Sequence, residues 1–302
     1  MRIGIPEGLL FHRYERFIRC FFDRLGVDVI YSGKTNRKIL EEGIKSCVDE
    51  ACLPIKVFHG HVSKLRKECD KIAVLRLMKC EYGESICPKF CGLPELVKSG
   101  TGEDNLVFTG PLYLNDKNKA KKAFIRDAKL LGIPAYKTSR AFEFAFKELY
   151  VNKQREELDN RIVIALLGHP YNTKDSFINM NLKDKLKNMD IGIVTEEDVP
   201  EDYKLKQQIG LLKKPYWLFL RDNYGAASYL SEEKRIDGII YLSSFSCGTD
   251  SITIELIRNK VKDLPILVLK LDEHTGEAGF NTRIEAFIEL LERRKMREDY
   301  LS

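Results

Sequence analysis

Short apolar runs alternate with amphipathic helical patterns along the chain, and this alternation restricts the fold more than any other feature of the sequence. Arg2 to Pro6 is a predicted strand, and Leu9 to Leu25 is a predicted helix. Gly26 ends that helix, and Val27 to Tyr31 is a second predicted strand. A strand, a helix and a second strand in this order imply a parallel sheet. The sequence therefore predicts an α/β fold.

The same alternation continues through the chain and separates into two halves. Further strands are predicted at Lys71 to Met78, Leu106 to Thr109, Arg161 to Gly168, Ile191 to Val194, Ile239 to Leu242 and Ile266 to Leu271. Further helices are predicted from about Lys119 to Leu131, Ser139 to Leu158, after GHPYNTKDSF as far as Lys187, Tyr216 to Leu230, from Gly248 onward, and Asn281 to Arg297. The charged segment VNKQREELDNR lies between the halves and predicts a domain boundary.

A chain of 302 residues is long enough for two domains of about 150 residues each. We predict two Rossmann-like α/β domains, each with a mainly parallel sheet flanked by helices. Residues 1–157 form the first and carry Cys52 and Cys87, and residues 158–302 form the second and carry Cys247. Ligands of such sheets bind beyond the carboxyl ends of the strands. A site between the two domains is therefore the expected arrangement.

Composition excludes several classes of protein. With 44% hydrophobic and 31% charged residues the chain has an ordinary globular composition, and it contains no apolar run near the ~20 residues of a membrane helix. The amino terminus lacks the apolar core of a secretory signal, which predicts a cytoplasmic protein without a membrane role. A net charge of +5 without a dense basic and aromatic block predicts no nucleic-acid partner.

Three cysteines occupy the same local setting. Cys52, Cys87 and Cys247 each stand at or just before a predicted helix start, and Pro54 and Pro88 mark two of these starts. The free N–H groups of a helix start stabilise a thiolate. Eight cysteines are too few for a secreted disulfide scaffold. Three interpretations stay open, namely shared metal or cluster ligation, structural burial, and a redox or nucleophilic thiol.

The spacing of the cysteines limits the kind of metal site. The chain has no CxxC pair and no CxxCxxC run, so a cluster would have widely separated ligands, three in number, and one iron open to another ligand. Cys91 follows Cys87 by one helical turn and is a candidate fourth ligand. The remaining thiols fit core or surface positions better, although two of them, Cys47 and Cys80, lie close in sequence to the candidates. These remaining thiols are Cys20, Cys47, Cys69 and Cys80.

Three polar motifs offer further chemistry. His59 and His61 resemble a metal pair, but residues two apart on a helix point to different faces, which favours hydrogen-bonded histidines near a helix end. Tyr171 in the HPY motif follows a predicted strand and is a candidate for proton transfer, or part of a helix cap. His274 in LDEHTGE is a second candidate, or part of a capped loop. Nucleotide-binding GxGxxG and Walker motifs and the GxSxG motif of serine hydrolases are absent from the sequence.

Several stretches together resemble the activase-associated domain family, which is similar to the cluster-bearing subunits of 2-hydroxyacyl-CoA dehydratases. These stretches are IGIPEGLLF, VDEACLPIKVFHGHV, ICPKFCGLPELV, GHPYN, SFSCGTDSI and LDEHTGEAGFNTRIEAF. The resemblance implies an iron–sulfur cluster held by Cys52, Cys87 and Cys247, and an ATP-hydrolysing activase that delivers low-potential electrons. The chain is shorter than the catalytic dehydratase subunits, and Cys80 and Cys91 stand where small or apolar residues are expected.

The resemblance leads to one main prediction and two alternatives. The main prediction is a protein of anaerobic metabolism that binds a [4Fe-4S] cluster, receives electrons from an activase or another donor, and transfers them or carries out a low-potential reduction. The first alternative is a dehydratase-like lyase with an open cluster iron as Lewis acid, assisted by Tyr171 or His274. The second is a non-enzymatic cluster carrier. A double-cubane cluster and a homodimer are further options that the sequence leaves open.

Overall fold

The computed structural model describes residues 1–150 and 158–301, apart from the side chains of residues 298, 299 and 301. The chain divides into two compact units, Met1–Asn152 and Lys153–Ser302. The boundary predicted between residues 157 and 158 adjoins residues 151–157, which lie outside the described residues. Strands and helices alternate within each unit.

The first unit begins with a strand and continues with helices and short strands. Its strands are β1 (Arg2–Ile5), β2 (Asp28–Tyr31), β3 (Lys71–Ala73), β4 (Arg76–Lys79), β5 (Leu106–Val107) and β6 (Pro111–Tyr113). Its helices are α1 (Phe11–Leu25), α2 (Arg37–Lys45), α3 (Leu53–Leu65), α4 (Pro88–Cys91), α5 (Leu93–Thr101), α6 (Lys117–Lys129) and α7 (Ala135–Lys147), with a 3-10 turn at Glu148–Tyr150.

The main sheet of the first unit has the strand order β2-β1-β3-β5, and its neighbouring strands are parallel. β4 and β6 form a separate parallel pair. The chain adds β2 on one side of β1 and then β3 and β5 on the other, so the strand order reverses between β1 and β3. Such a reversal opens a crevice beyond the carboxyl ends of the two strands.

Aromatic side chains on the helices form much of the core of the first unit. Phe17 and Phe21 of α1 lie with their ring centroids 5.6 and 4.5 Å from that of Phe124 in α6. Phe142 of α7 lies 6.1 Å from Phe17, edge to face. Apolar residues recur every three or four positions in α1, which buries one face of the helix in this cluster.

The second unit repeats the alternation with longer strands. Its strands are β7 (Ile162–Gly168), β8 (Ile191–Val194), β9 (Gly238–Ser244) and β10 (Ile266–Leu271). Its helices are α8 (Pro170–Thr173), α9 (Leu182–Asn188), α10 (Glu201–Lys206), α11 (Leu218–Glu232), α12 (Gly248–Lys260) and α13 (Glu277–Leu301), with a 3-10 turn at Glu196–Asp198.

The sheet of the second unit has the order β10-β9-β7-β8, again with parallel neighbours. Counted within each unit, both main sheets place the second strand beside the first and the third and fourth on the other side. The order of the second sheet therefore reverses between β7 and β9. β9 is buried along its whole length, as a continuous apolar strand is when helices cover both faces of a sheet.

The predicted fold class is confirmed, because both units are α/β with parallel sheets flanked by helices. Two predicted strands, Ile191–Val194 and Ile266–Leu271, have the predicted bounds. Apolar strands with turn residues at both ends are among the elements that local sequence defines best. Among the described helices, none combines the length and the apolar composition that a membrane span requires.

Some predicted elements are wrong in detail. The run KIAVLRLM is two strands, β3 and β4, which join different sheets, because an apolar run indicates burial and not the pairing partner. The helix predicted from Ser139 to about Leu158 starts earlier, at Ala135, and α7 ends at Lys147; residues 151–157 of that prediction lie outside the described residues. The helix predicted after GHPYNTKDSF is divided into α8 and α9, since Met180 and Asn181 between them have left-handed backbone angles.

Candidate functional site

Cys247 lies between β9 and α12, at the carboxyl edge of the second sheet. Ser246 before it has a left-handed backbone with φ 60°, which turns the chain from the strand into the helix. The Cys247 side chain makes no capping hydrogen bond to α12, and its Sγ lies 3.2 Å from Thr249 Oγ1. The thiol is partly exposed. It therefore stands beside the N-terminus of a 13-residue helix, where backbone N–H groups stabilise negative charge.

His169 follows β7, the strand beside β9, and Gly168 determines its position. The backbone of Gly168 has φ 138°, and a Cβ atom built there would lie 2.3 Å from the carbonyl oxygen of Leu242 in β9. The buried Asn223 side chain accepts a hydrogen bond from Gly168 N at 2.8 Å and donates one to Gly168 O at 3.3 Å. Only glycine fits this close approach, so the sequence GHP holds His169 at the edge of the sheet where the strand order reverses.

Buried hydrogen bonds connect His169 with Asp250 and two tyrosines. His169 Nε2 lies 3.1 Å from Asp250 Oδ1, and its Nδ1 contacts the Tyr171 hydroxyl. The Tyr241 hydroxyl donates to Asp250 Oδ1 at 2.8 Å. Burial lowers the pKa of His169, although Asp250 opposes the shift, and burial followed by Asp250 raises the pKa of Tyr241 well above its ordinary value. The imidazole is therefore neutral near neutral pH, with Nε2–H donating to Asp250 and Nδ1 accepting from Tyr171.

The site brings together three different kinds of donor. One ligand atom each of His169, Cys247 and Asp250 can be chosen so that all lie within 4.8 Å of one another. His169 and Asp250 are buried, and Cys247 connects the group with solvent. Imidazole, thiolate and carboxylate together suit borderline metal ions such as Zn²⁺. The described part of the chain contains one set of three such donors this close together.

The first unit contains a group of cysteines that lie close together. Cys52 is the residue before α3, and Cys87 is the residue before α4. Lys89 Nζ lies 3.8 Å from Cys52 Sγ. Burial raises the pKa of the Cys87 thiol, Cys52 and Cys91 raise it further, and a backbone hydrogen bond at Lys89 and the charge of Lys89 lower it. Cys52 and Cys91 therefore both lie near the thiol of Cys87.

Cys91 and Cys47 lie near Cys87 and Cys52, respectively. Cys91 ends the four-residue helix α4, and its thiol points to the carbonyl of Leu77 at 3.6 Å. Burial raises the pKa of Cys47, which Lys56 lowers and Cys52 raises again. By contrast, Cys80 is fully buried in the core. The burial of Cys80 agrees with a core position, and Cys47 lies near Cys52.

The other predicted polar motifs have mostly structural surroundings. His59 and His61 lie inside α3 and not at its end; both are buried, and their ring nitrogens contact oxygen atoms of Ile55 and Leu96, and of Ser32 and Thr35, respectively. His274 is exposed in a turn, where its backbone N–H donates to Asp272 Oδ1 at 3.0 Å. Tyr171 is buried against His169.

Sequence reasoning missed His169 and Asp250 as site residues. His169 was assigned only to a motif at a strand end, and Asp250 to the helix that follows Cys247. The usable signal was the position of each residue after a buried strand, since β7 and β9 turned out to be the neighbours between which the strand order reverses.

Comparisons with known proteins give matches along most of the chain. Residues 2–199, about two thirds of the chain, match the family described as the CoA enzyme activase uncharacterised domain. Residues 220–291 match the D-component of 2-hydroxyglutaryl-CoA dehydratase. No curated protein matches the chain. A solved structure of a periplasmic binding protein/LacI transcriptional regulator from Alkaliphilus metalliredigens QYMF, complexed with D-xylulofuranose, is 8% identical and covers 90% of this chain and 96% of its own, with a TM-score of 0.21.

Proposed function

The chain belongs to the CoA enzyme activase uncharacterised-domain family, and from this we propose that it is an iron–sulfur protein that transfers low-potential electrons together with an ATP-dependent activase. It is an activase-related, 2-hydroxyacyl-CoA dehydratase-like protein, since a second segment matches the dehydratase D-component. The proposed cofactor is a [4Fe-4S] cluster, and its proposed ligands are Cys52, Cys87 and Cys247.

One observation carries the proposal. Cys52, Cys87 and Cys247 are each the last residue before a helical segment. All three thiols are partly exposed and outside any disulfide. A purely structural thiol is usually buried and inert, so the recurrence favours ligands.

The surroundings of these thiols suit an anionic centre. The Lys89 ammonium group lies beside Cys52, and α3 and α12 begin directly after Cys52 and Cys247, so a positive charge and free backbone N–H groups are close to these thiols. Soft thiolates are the ligands that iron–sulfur clusters take. When bound, the cluster would supply a centre for one-electron transfer. Cys91, whose thiol influences that of Cys87, is the candidate for a fourth ligand.

The activase is proposed as a separate partner. The sequence contains no Walker motif, so we assign ATP hydrolysis to another chain and electron transfer to this one. The match to an activase-related family supports a partner of this kind.

Anaerobic reconstitution of the complete chain with iron and sulfide tests the cofactor. We expect about four iron and four sulfide per chain for a [4Fe-4S] cluster, and about eight iron for a double-cubane cluster. Single replacements of Cys52, Cys87 or Cys247 by Ala should each abolish the EPR signal of the reduced cluster. Cys20→Ala is the matched control and should retain it, because Cys20 lies within α1, away from any helix start. A folded wild-type chain that holds no iron would refute the proposal.

A dehydratase-like lyase is a second candidate function, which the contact between Tyr171 and His169 favours. A buried hydroxyl that is hydrogen-bonded to a neutral imidazole can take part in proton transfer, here along the hydrogen bonds from Tyr171 through His169 to Asp250. If this function is correct, 2-hydroxyacyl-CoA should alter the EPR spectrum of the reduced protein, and Tyr171→Phe should lower turnover while leaving the iron content unchanged. An unaltered spectrum across several acyl-CoA compounds would argue against it.

A further inference from the structure

Asp250 has an unusual environment for a fully buried carboxylate. It occupies the first turn of α12 and has no exposed surface. Its Oδ1 atom accepts a hydrogen bond from Tyr241 and contacts His169, whereas its buried Oδ2 atom has no hydrogen-bond partner among the described residues. A carboxylate oxygen that is buried without a partner has lost its hydrogen bonds to water and has no hydrogen bond that replaces them, which destabilises the folded chain. An oxygen in this situation points to a ligand that completes the site.

The spacing of the neighbouring donors indicates which ligand. Zinc binds nitrogen and oxygen at about 2.0–2.2 Å and sulfur at about 2.3 Å, so tetrahedral ligand atoms lie roughly 3.3–3.8 Å apart. The Asp250 carboxylate already lies against the His169 ring, with its Oδ1 atom 3.1 Å from Nε2, and Cys247 completes a set of donors within 4.8 Å of one another. A contraction of about 1 Å at the partly exposed cysteine therefore suffices to place all three donors around one ion.

We propose that His169, Cys247 and Asp250 form a binding site for one divalent zinc-class ion within the second unit. The site needs neither Cys52 nor Cys87, so it goes beyond the proposed iron–sulfur function and does not depend on it. Because Cys247 belongs to both ligand sets, zinc and the cluster should compete for the chain.

The groups around the donors would orient them. The Tyr171 hydroxyl lies at His169 Nδ1, and the His169 ring packs on Phe219 with centroids 4.6 Å apart. Tyr241 fixes Asp250 through Oδ1. On metal binding, the Nε2 proton of His169 moves to Nδ1 and bonds to the Tyr171 oxygen, and the Cys247 proton is released to solvent. Because Cys247 is partly exposed, an ion can reach the site from solvent on the side of this residue.

The test uses the full chain carrying Cys52→Ala and Cys87→Ala, which removes the proposed cluster ligands of the first unit. This parent is freed of metal under reducing, anaerobic conditions and titrated with Co²⁺, whose thiolate charge-transfer band reports a cobalt–sulfur bond. Zinc then displaces the cobalt and gives the affinity. We expect about one zinc per chain, with the band lost in Cys247→Ser.

Two isosteric changes examine the remaining ligands. His169→Gln and Asp250→Asn should each weaken zinc binding about 100-fold or more, and Tyr171→Phe, which removes only an orienting group, about 10-fold. Glu277→Gln, an exposed carboxylate of the same unit, is the matched control and should leave the affinity unchanged. Asp250→Asn also shows that a loss of zinc binding is not due to misfolding. Because it removes a buried charge, the metal-free variant should have a Tm at least as high as that of the metal-free parent. The increase in Tm on zinc addition should disappear.

The outcomes separate this site from the cluster. Zinc binding that is unchanged in both His169→Gln and Asp250→Asn, or absent from the folded parent, overturns the zinc site. A wild-type chain that takes up no iron while the parent binds zinc through His169 refutes the cluster and leaves the zinc site intact. If both sites exist, zinc added before reconstitution should lower the iron bound by wild type but not by Asp250→Asn.

Discussion

Replacing Gly168 by Ala should strongly destabilise the second unit. The added Cβ would lie 2.3 Å from the carbonyl oxygen of Leu242, about 1 Å inside normal contact, and the backbone angle of 138° suits glycine only. The strained angle costs about 1–3 kcal/mol, and forcing extra volume between packed strands costs about 1–3 kcal/mol more. The lower entropy of the unfolded alanine chain offsets less than about 1 kcal/mol of the two costs. The expected net loss in the free energy of unfolding is about 3 kcal/mol.

The fluorescence of Trp217, the single tryptophan of the chain, reports urea unfolding of the second unit. Gly210→Ala is the matched control, because Gly210 also has a positive φ, 98°, but no atom of the described residues lies within 4 Å of an added Cβ. The control should lose about 1 kcal/mol from the backbone angle alone. The difference between the two variants isolates the contact with β9.

If Gly168→Ala loses no more stability than Gly210→Ala, the close approach of β7 and β9 does not constrain this position, and the argument that Gly168 places His169 fails. Loss of zinc affinity in a Gly168→Ala chain that unfolds at the wild-type urea concentration would point instead to a local shift of His169.

Two further predictions concern buried charges of the second unit. Burial, followed by Glu197, raises the pKa of Glu196 from 4.5 to about 7, so its contribution to stability is full below the unfolded value and is lost as the pH rises through the folded value. Between about pH 5 and about pH 8, the free energy of unfolding measured in urea should therefore fall by about 3 kcal/mol more in wild type than in Glu196→Gln. An equal dependence of stability on pH in the two proteins would contradict this. Arg221 is fully buried and contacts Asp222 at 2.6 Å, so Arg221→Leu should cost about 3–5 kcal/mol, whereas the exposed Arg293→Leu should change stability by less than about 1 kcal/mol in the same assay. Similar losses in both Arg variants would show that burial of the pair does not govern its contribution.

The features that can be predicted from the sequence are those that depend on residues close to one another along the chain. An apolar run followed by Cys247-Gly248 and a helical pattern identifies a strand, a turn and a helix start without knowledge of the rest of the chain. The same reasoning placed Cys52 before a helix, because Pro54 fits a first helical turn. In these cases the local preferences of the residues agree with the final fold, so the tertiary structure did not override them.

The features that were not predictable depend on which strands become neighbours. His169 and Asp250 meet only because β7 and β9 pair, although β8 lies between them in sequence. Likewise, nothing within KIAVLRLM indicates that its two ends join different sheets. The pairing of strands is decided by packing across the whole unit, and a one-dimensional pattern of apolar residues does not contain it.

The order of strands along the chain has a consequence for biosynthesis. Every strand of the sheet β2-β1-β3-β5 precedes Asn152, so the first unit can fold while the second is still being made. The ribosome needs roughly 5–20 s to extend the chain from Asn152 to Cys247. During that interval Cys52 and Cys87 can already stand in a folded unit, while the third proposed ligand does not yet exist. If the proposed cluster takes all three cysteines as ligands, its insertion would be a late event in the maturation of this protein.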